Sequence, residues 1–174
     1  MITIEAQQSE ISLERKVAMM MKVIDTDDHF GDGKDCFDIG ILFSHHDTSS
    51  IIEKERILQF TELEPYMLTD SVPVHCIPID LEHDDGWKQT LATGSVAAVI
   101  VTSIDQQYLG PVSSFCRDHE ILSMTTVPEY VSGGLSVGVT AVNDRAMLMI
   151  NLPASRTEGA RISSRVLKMA KIVR

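Results

Sequence analysis

The run Val96-Ala-Ala-Val-Ile-Val101 sets the tightest limit on what this chain can fold into. A strand with one face in water alternates polar and apolar residues. An unbroken apolar run needs cover on both faces, as a parallel strand has between two layers of helices. Phe37-Asp-Ile-Gly-Ile-Leu-Phe43 alternates at first and then becomes continuously apolar in the same way.

The sequence around these runs supplies the covering helices. Leu13, Val17, Met20, Met21 and Ile24 form the apolar stripe of a helix predicted over Leu13 to Asp25, with Ser12 as its cap and Glu14 in its first turn. Ser50-Ile-Ile-Glu53 has capping-box spacing and opens a second helix that runs to about Leu63. Val72 to Asp80 reads as a strand, and Pro73 and Pro78, which cannot donate ladder hydrogen bonds, favour a sheet edge. Trp87 and Leu91 mark a short helix over Asp84 to Ala92. Gln106 to His119 is the next helix, in which Pro111 marks a break or a start, and a strand over Ile121 to Thr126 follows.

After Leu135 the pattern changes. Leu135 to Val142 and Arg145 to Asn151 are strands joined by Asn143-Asp144, two residues that tolerate positive φ, so they form a hairpin. Ile162, Val166, Met169, Ala170 and Val173 define a last helix capped at Ser163 or Ser164. The expected fold is therefore α/β: a three-layer α/β/α sandwich whose mostly parallel central sheet carries a C-terminal antiparallel hairpin, followed by a final helix. The 174 residues, 44% hydrophobic and 23% charged, suit one domain over residues 13–174 behind a flexible N-terminal segment, residues 1–12.

Charge narrows the functional classes. A formal charge of -10 argues against a nucleic-acid partner or an anionic membrane surface, both of which attract basic patches. Cys36, Cys76 and Cys116 show no C-x-x-C spacing, which leaves buried free thiols as the plain reading and any disulfide among them open. No segment approaches the ~18 apolar residues of a membrane span, and MITIEAQQSE lacks the pattern of a secretory signal.

The acidic stretch Asp25-Thr-Asp-Asp-His-Phe-Gly-Asp-Gly-Lys-Asp35 invites a metal reading and fails the EF-hand test. With Gly33 at loop position 6, position 3 is Phe30 and position 12 is Ile39; with Gly31 there, the loop starts at Thr26. The stretch is expected to be a polar helix-to-strand connection without a metal.

Ligands of open α/β sheets bind outside the carboxyl ends of the parallel strands, near the switch in strand order. Here those ends carry Ser44-His-His-Asp47, Thr102-Ser-Ile-Asp105 and Thr125-Thr126, so His45, His46, Thr102 and Ser103 are the candidate ligand-binding residues for a polar small molecule. His45 and His46 are adjacent, and on an extended backbone they point in opposite directions, which argues against a shared metal. The acidic pair and Lys of a phosphoacceptor receiver, a G-x-S-x-G elbow, a P-loop and a G-x-G-x-x-G are all missing, and no spacing nominates a Ser-His-Asp triad. No catalytic residue, cofactor or metal is expected.

Glu129-Tyr-Val-Ser-Gly-Gly134, the apolar strand after it, Met149-Ile-Asn151 and Ala160-Arg-Ile-Ser-Ser-Arg-Val-Leu-Lys-Met-Ala170 together resemble the YfiR/HmsC-like family. Its members have a Gly-Gly step before a strand, an Ile-Asn after the next, and a final Ser-Ser-x-Leu-Leu-x-Leu-Ala helix. The front half fits through a Leu-Glu-x-Lys entry at Leu13 to Lys16. Positive φ is expected at Gly133 and Gly134, strand closure at Asn151, and helix capping at Ser163 and Ser164. The resemblance implies a periplasmic, non-enzymatic regulator that binds the periplasmic part of a membrane signalling protein, a diguanylate cyclase or a histidine kinase. Such a protein is a homodimer that tunes cyclic di-GMP and biofilm formation. Export implies a leader removed near Ile-Glu-Ala, before Gln7. The family's hairpin cysteines are absent and its Trp-Pro after the first helix is replaced by the His29-Phe30 region, so redox sensing does not carry over. The second reading is a small-molecule-binding protein whose crevice is itself the function.

Overall fold

A computed structural model describes residues 11–27, 35–68, 71–83 and 86–173. In chain order the elements are α1 (Leu13–Asp25), β1 (Phe37–Phe43), α2 (Thr48–Leu63), β2 (Met67–Leu68), β3 (Val72–Asp80), α3 (Gly86–Thr93), β4 (Val96–Val101), α4 (Gln106–Asp118), β5 (Leu122–Thr125), α5 (Glu129–Ser132), β6 (Val137–Val142), β7 (Arg145–Asn151), α6 (Leu152–Thr157), α7 (Ser164–Lys168) and β8 (Lys171–Val173). The strands form one sheet of order β2-β3-β1-β4-β5-β6-β7-β8. It is parallel from β3 through β6 and antiparallel across β2/β3 and β6/β7, and β8 lies parallel to β7.

The apolar run of β4 does what its pattern demands. Ala98 and Ile100 join a core with Met20, Met21 and Ile24 of α1 and Ile57 of α2. Val99 and Val101 join the core on the other face, with Trp87 and Leu91 of α3 and Val112 and Cys116 of α4. Helices therefore cover both faces in three layers. Each fully buried side chain of the α1 stripe contributes about 1.5–3 kcal/mol. Because β1 connects to β3 on one side while β4 lies on its other side, the strand order switches between β1 and β4.

Several elements differ from the sequence expectations. The cap of α2 is Asp47, whose carboxylate accepts from Ser49 N at 2.8 Å and Ser50 N at 3.1 Å. Ser50 is instead a buried residue of the first turn, and Glu53 reaches away from the helix start. Pro111 neither breaks nor starts α4. Its ring removes a single donor, and the buried face of Val112, Ser113 and Cys116 carries the helix through. The final helix, α7, is short: the turn capped by Ser163 ends at Lys168, and Lys171 to Val173 pair with the open edge of β7. The helix α6 begins at the strand end that Asn151 closes, with a proline in its first turn, so one Asn serves both strand and helix.

The hairpin forms as its sequence implies, with φ of 49° at Asn143 and 57° at Asp144. Of the Gly-Gly step only Gly134 has positive φ, 115°. Gly133, at φ -79°, sits close against Leu109: a Cβ there would meet Leu109 Cδ2 at 2.6 Å and make that side chain shift. All three cysteines are free thiols, and among the described residues no helix is long and apolar enough to cross a membrane.

Candidate functional site

β1 and β3 run parallel and end together, Phe43 opposite Asp80, and Leu81 N donates to Phe43 O at 2.9 Å. Past Phe43 the chain leaves the extended conformation and turns through His45 and His46 before Asp47 caps α2. The turn defeats the alternation argument: both imidazoles lie on the same side, with ring centroids 3.9 Å apart. Each meets a carboxylate from the end of β3. His45 Nδ1 lies 2.7 Å from Asp80 Oδ2 and 3.3 Å from Glu82 Oε2, and His46 Nδ1 lies 2.6 Å from Glu82 Oε2.

The carboxylates are themselves held. The Ser44 hydroxyl donates to Glu82 Oε1 at 2.6 Å and His46 N donates to Glu82 Oε2 at 3.0 Å, while Glu82 N donates to Asp80 Oδ1 at 3.0 Å. Burial works against the charge of Glu82. The hydrogen bonds from the Ser44 hydroxyl and from the His46 ring and backbone outweigh it and hold the carboxyl down to about 2. The result is an ionised carboxylate facing two imidazoles that are open to solvent.

The other two candidate residues sit elsewhere. Thr102 is fully buried: its hydroxyl donates to Leu42 O at 3.0 Å and lies 2.7 Å from Ser50 Oγ, which in turn accepts from Ser44 N at 2.9 Å. It ties β4 to the start of α2 and is closed to a ligand. Ser103 N donates to Glu53 Oε2 at 3.1 Å, the same oxygen that accepts from the Thr126 hydroxyl at 2.6 Å. Beside Glu53 a cavity of about 220 Å³ opens between α1 and α2, lined by Lys16, Arg56 and Thr126 among others. Lys16 Nζ donates to Thr126 O at 3.0 Å, and Arg56 pairs with Glu14 at 2.7 Å. The four predicted residues thus divide between an imidazole–carboxylate cluster and a polar seam under α2.

Sequence reasoning missed Asp80, Glu82 and Glu53. The signal for the first two was present, since Asp80-Leu-Glu82 ends a parallel strand on the same side as Ser44 to Asp47. Glu53 has the spacing of a capping box, yet its carboxylate turns toward the sheet and accepts from Ser103 N and the Thr126 hydroxyl.

The family-motif residues form a separate, structural set. Asn151 accepts from Ala154 N at 3.1 Å and donates from Nδ2 to Val131 O at 3.2 Å. Ser163 accepts from Val166 N at 3.4 Å, and Ser164 is the first residue of the helix rather than its cap. Behind Asn151, the buried Glu158 accepts from Ser123 N at 2.8 Å, from the Ser123 hydroxyl at 2.7 Å and from the Ser136 hydroxyl. Burial pushes this carboxyl up to about 7 despite those donors and Arg117.

Most of the acidic stretch, residues 28–34, lies outside the described residues. Its Asp27 is buried and accepts from Arg161 N at 2.6 Å, which ties the end of α1 to the segment before α7. A second titratable cluster stands at the amino end of the sheet, where Asp38 Oδ1 lies 3.9 Å from Cys36 Sγ and 3.7 Å from His75 Nδ1.

Comparisons with known proteins bear on the family and the fold. A family model described as YfiR/HmsC-like matches residues 78–171. No curated protein sequence matches the chain. Among solved structures, it is similar to the ligand-free, open form of CD0873, a substrate-binding protein with adhesive properties from Clostridium difficile (TM-score 0.69, 10% identity, 94% of this chain and 60% of that one). It is also similar to an ABC domain in complex with L-Trp from Streptococcus pneumoniae (TM-score 0.64, 14% identity, 92% and 60%). A third is a conserved domain protein from Vibrio cholerae (TM-score 0.64, 12% identity, 93% and 60%). The chain spans about 60% of the length of these structures, and at such identity the likeness is one of fold.

Proposed function

The chain belongs to the YfiR/HmsC-like family, and on that premise we propose that it is a periplasmic, non-enzymatic regulator. In this reading it binds the periplasmic part of a membrane signalling protein, a diguanylate cyclase or histidine kinase, and represses or tunes it. The family match over residues 78–171 carries the reading.

A groove of about 480 Å³ supplies a surface suited to such contact. It runs between α1, β7 and α7 and is lined by Met19, Met147, Leu148, Val166 and Met169, with Lys22 and Arg165 at its rim. Methionines adapt to irregular partners, and Met169 is 63% exposed. The basic rim on a chain of net charge -10 favours an apolar partner segment flanked by acidic residues. In the native host, deleting the chain is expected to raise cyclic di-GMP or kinase output, and a folded Met169→Glu variant to reproduce that effect. Output unchanged by deletion would sink the reading. Homodimerisation belongs to the same proposal and is checked by the molar mass in solution.

A second reading, small-molecule binding at the carboxyl ends of the strands, is favoured by the cavity beside Lys16, Arg56 and Glu53. It is further supported by a fold shared with a substrate-binding protein and an L-Trp complex. Thermal-shift screening against metabolites tests it: saturable stabilisation by one compound, lost in Lys16→Ala, supports it, and no hit across the screen removes it.

A further inference from the structure

The ends of β1 and β3 bring two imidazoles and two carboxylates together, and the ligand atoms of His45, His46 and Glu82 converge. One oxygen of each carboxylate is fixed by the protein: Asp80 Oδ1 by Glu82 N at 3.0 Å and Glu82 Oε1 by the Ser44 hydroxyl at 2.6 Å. The second oxygens, Asp80 Oδ2 and Glu82 Oε2, face the imidazoles at 2.6–3.3 Å, with Glu82 Oε2 steadied by His46 N at 3.0 Å. Carboxylates oriented through one oxygen and open through the other are what a metal site needs from its supporting hydrogen bonds.

We propose that His45, His46 and Glu82 form a binding site for one divalent transition-metal ion of the zinc type, with water as the fourth ligand. The ligand atoms of His45, His46 and Glu82 all lie within 4.8 Å of one another, and Asp80 Oδ2 stands outside that set, 2.7 Å from His45 Nδ1. A tetrahedral ion with bonds of about 2.0–2.1 Å separates its ligands by roughly 3.3 Å. The 2.6 Å contact between His46 Nδ1 and Glu82 Oε2 therefore opens by roughly 0.7 Å as the ion enters. The His45 and His46 side chains, 44% and 75% exposed, have the freedom to make that adjustment.

Charge and donor type agree with the proposal. The Glu82 carboxylate, with Asp80 beside His45, offsets the charge of a divalent ion, and each neutral imidazole shifts its proton from Nδ1 to Nε2 through solvent as the Nδ1 lone pair turns to the metal. Imidazole ligands select Zn²⁺, Ni²⁺ or Cu²⁺ over Mg²⁺ and Ca²⁺, which require oxygen alone. The ion would fasten the turn after β1 to the end of β3, next to the cap of α2. This inference does not depend on the regulatory reading, since binding is measured on the isolated chain.

The test is calorimetric titration of Zn²⁺ into the chelator-treated full chain, with melting temperature as a parallel readout. The expected result is saturable binding of one ion per chain and a rise of several degrees at about 100-fold excess over Kd. The double variant His45→Ala/His46→Ala should lose at least tenfold in affinity while its metal-free melting temperature stays within about 2 degrees of the parent, as expected for exposed side chains. Cys36→Ser/His75→Ala should bind as the parent does. Cobalt(II) loading adds a spectroscopic check: imidazole and carboxylate ligation gives d–d bands without a thiolate charge-transfer band. No Zn²⁺ binding to the parent overturns the proposal. So does binding that survives in the His45/His46 variant but fails in the Cys36/His75 variant with a thiolate band, because the ion then belongs to the cluster at the other end of the sheet.

Discussion

Glu82 and Glu158 present the same local chemistry and opposite outcomes. Each accepts three hydrogen bonds: Glu82 from the Ser44 hydroxyl and the backbone and ring of His46, Glu158 from the backbone and hydroxyl of Ser123 and the hydroxyl of Ser136. Yet Glu82 is held down to about 2 while Glu158 is pushed up to about 7. Burial is what differs. Glu158 is fully buried between β5, β6 and α6, whereas Glu82 stands at the rim with two solvent-facing imidazoles as partners. Hydrogen-bond count alone therefore does not set the charge of a carboxylate. The first site is built to present charge to the outside, and the second to fasten strands together.

Substitution by alanine breaks the comparison most directly. Glu158→Ala leaves three buried donors without an acceptor and is expected to cost about 3 kcal/mol or more. Glu82→Ala should cost less, about 1 kcal/mol, because the exposed imidazoles turn to water and only the buried Ser44 hydroxyl loses its acceptor. Urea denaturation midpoints check both, and equal losses would mean the rim cluster is structural too. The next largest effect is on pH dependence. The folded pKa of Glu158 is raised, so the protonated form is favoured by folding. Its contribution is complete below the unfolded value near 4.5 and declines as pH rises through about 7. Stability should fall over that window by roughly 3 kcal/mol at most, and Glu158→Gln should flatten the profile measured by denaturation at pH 5 and pH 8.

Smaller effects sharpen the contrast between the two halves. Gly134→Ala places a Cβ at φ 115°, 2.9 Å from the Arg117 guanidinium and 3.0 Å from Ser113 Oγ. It should lose about 1–3 kcal/mol by thermal unfolding. Last come the caps. Asp47→Ala and Asn151→Ala should each cost about 1 kcal/mol, with Asn151→Ala the larger because Nδ2 also donates to Val131 O. Equal losses in the two variants would show that this second bond adds nothing.

The fold was legible wherever periodicity was unambiguous. The α1 stripe, the β1 and β4 runs and the Asn143-Asp144 turn appear in the structure at the positions their patterns imply. What stayed hidden depended on contacts between distant residues. Ser50 and Glu53 have the spacing of a capping box, but in the fold their polar atoms serve Thr102, Ser103 and Thr126. Likewise Val166, Met169 and Val173 have helical spacing, yet the vacant edge of β7 draws Lys171 to Val173 into the sheet. The candidate site was half visible. The place of His45 and His46 after a strand is legible in the sequence, but the turn that aligns them and the carboxylates that meet them follow only from the register of β1 against β3.

The position of α1 has a consequence for how the chain is made. Its buried stripe packs against β6 and β7 as well as α2, Lys16 reaches Thr126 across 110 residues, and Asp27 reaches Arg161 across 134. At a synthesis rate of about 5–20 residues per second, this helix emerges before its partners and finds the last of them only once residues up to Arg161 have been made. Until then Met20, Met21 and Ile24 stay partly uncovered. The stripe of α1 is therefore covered late, and the rate of that closure sets how long the nascent chain exposes a surface that chaperones can hold.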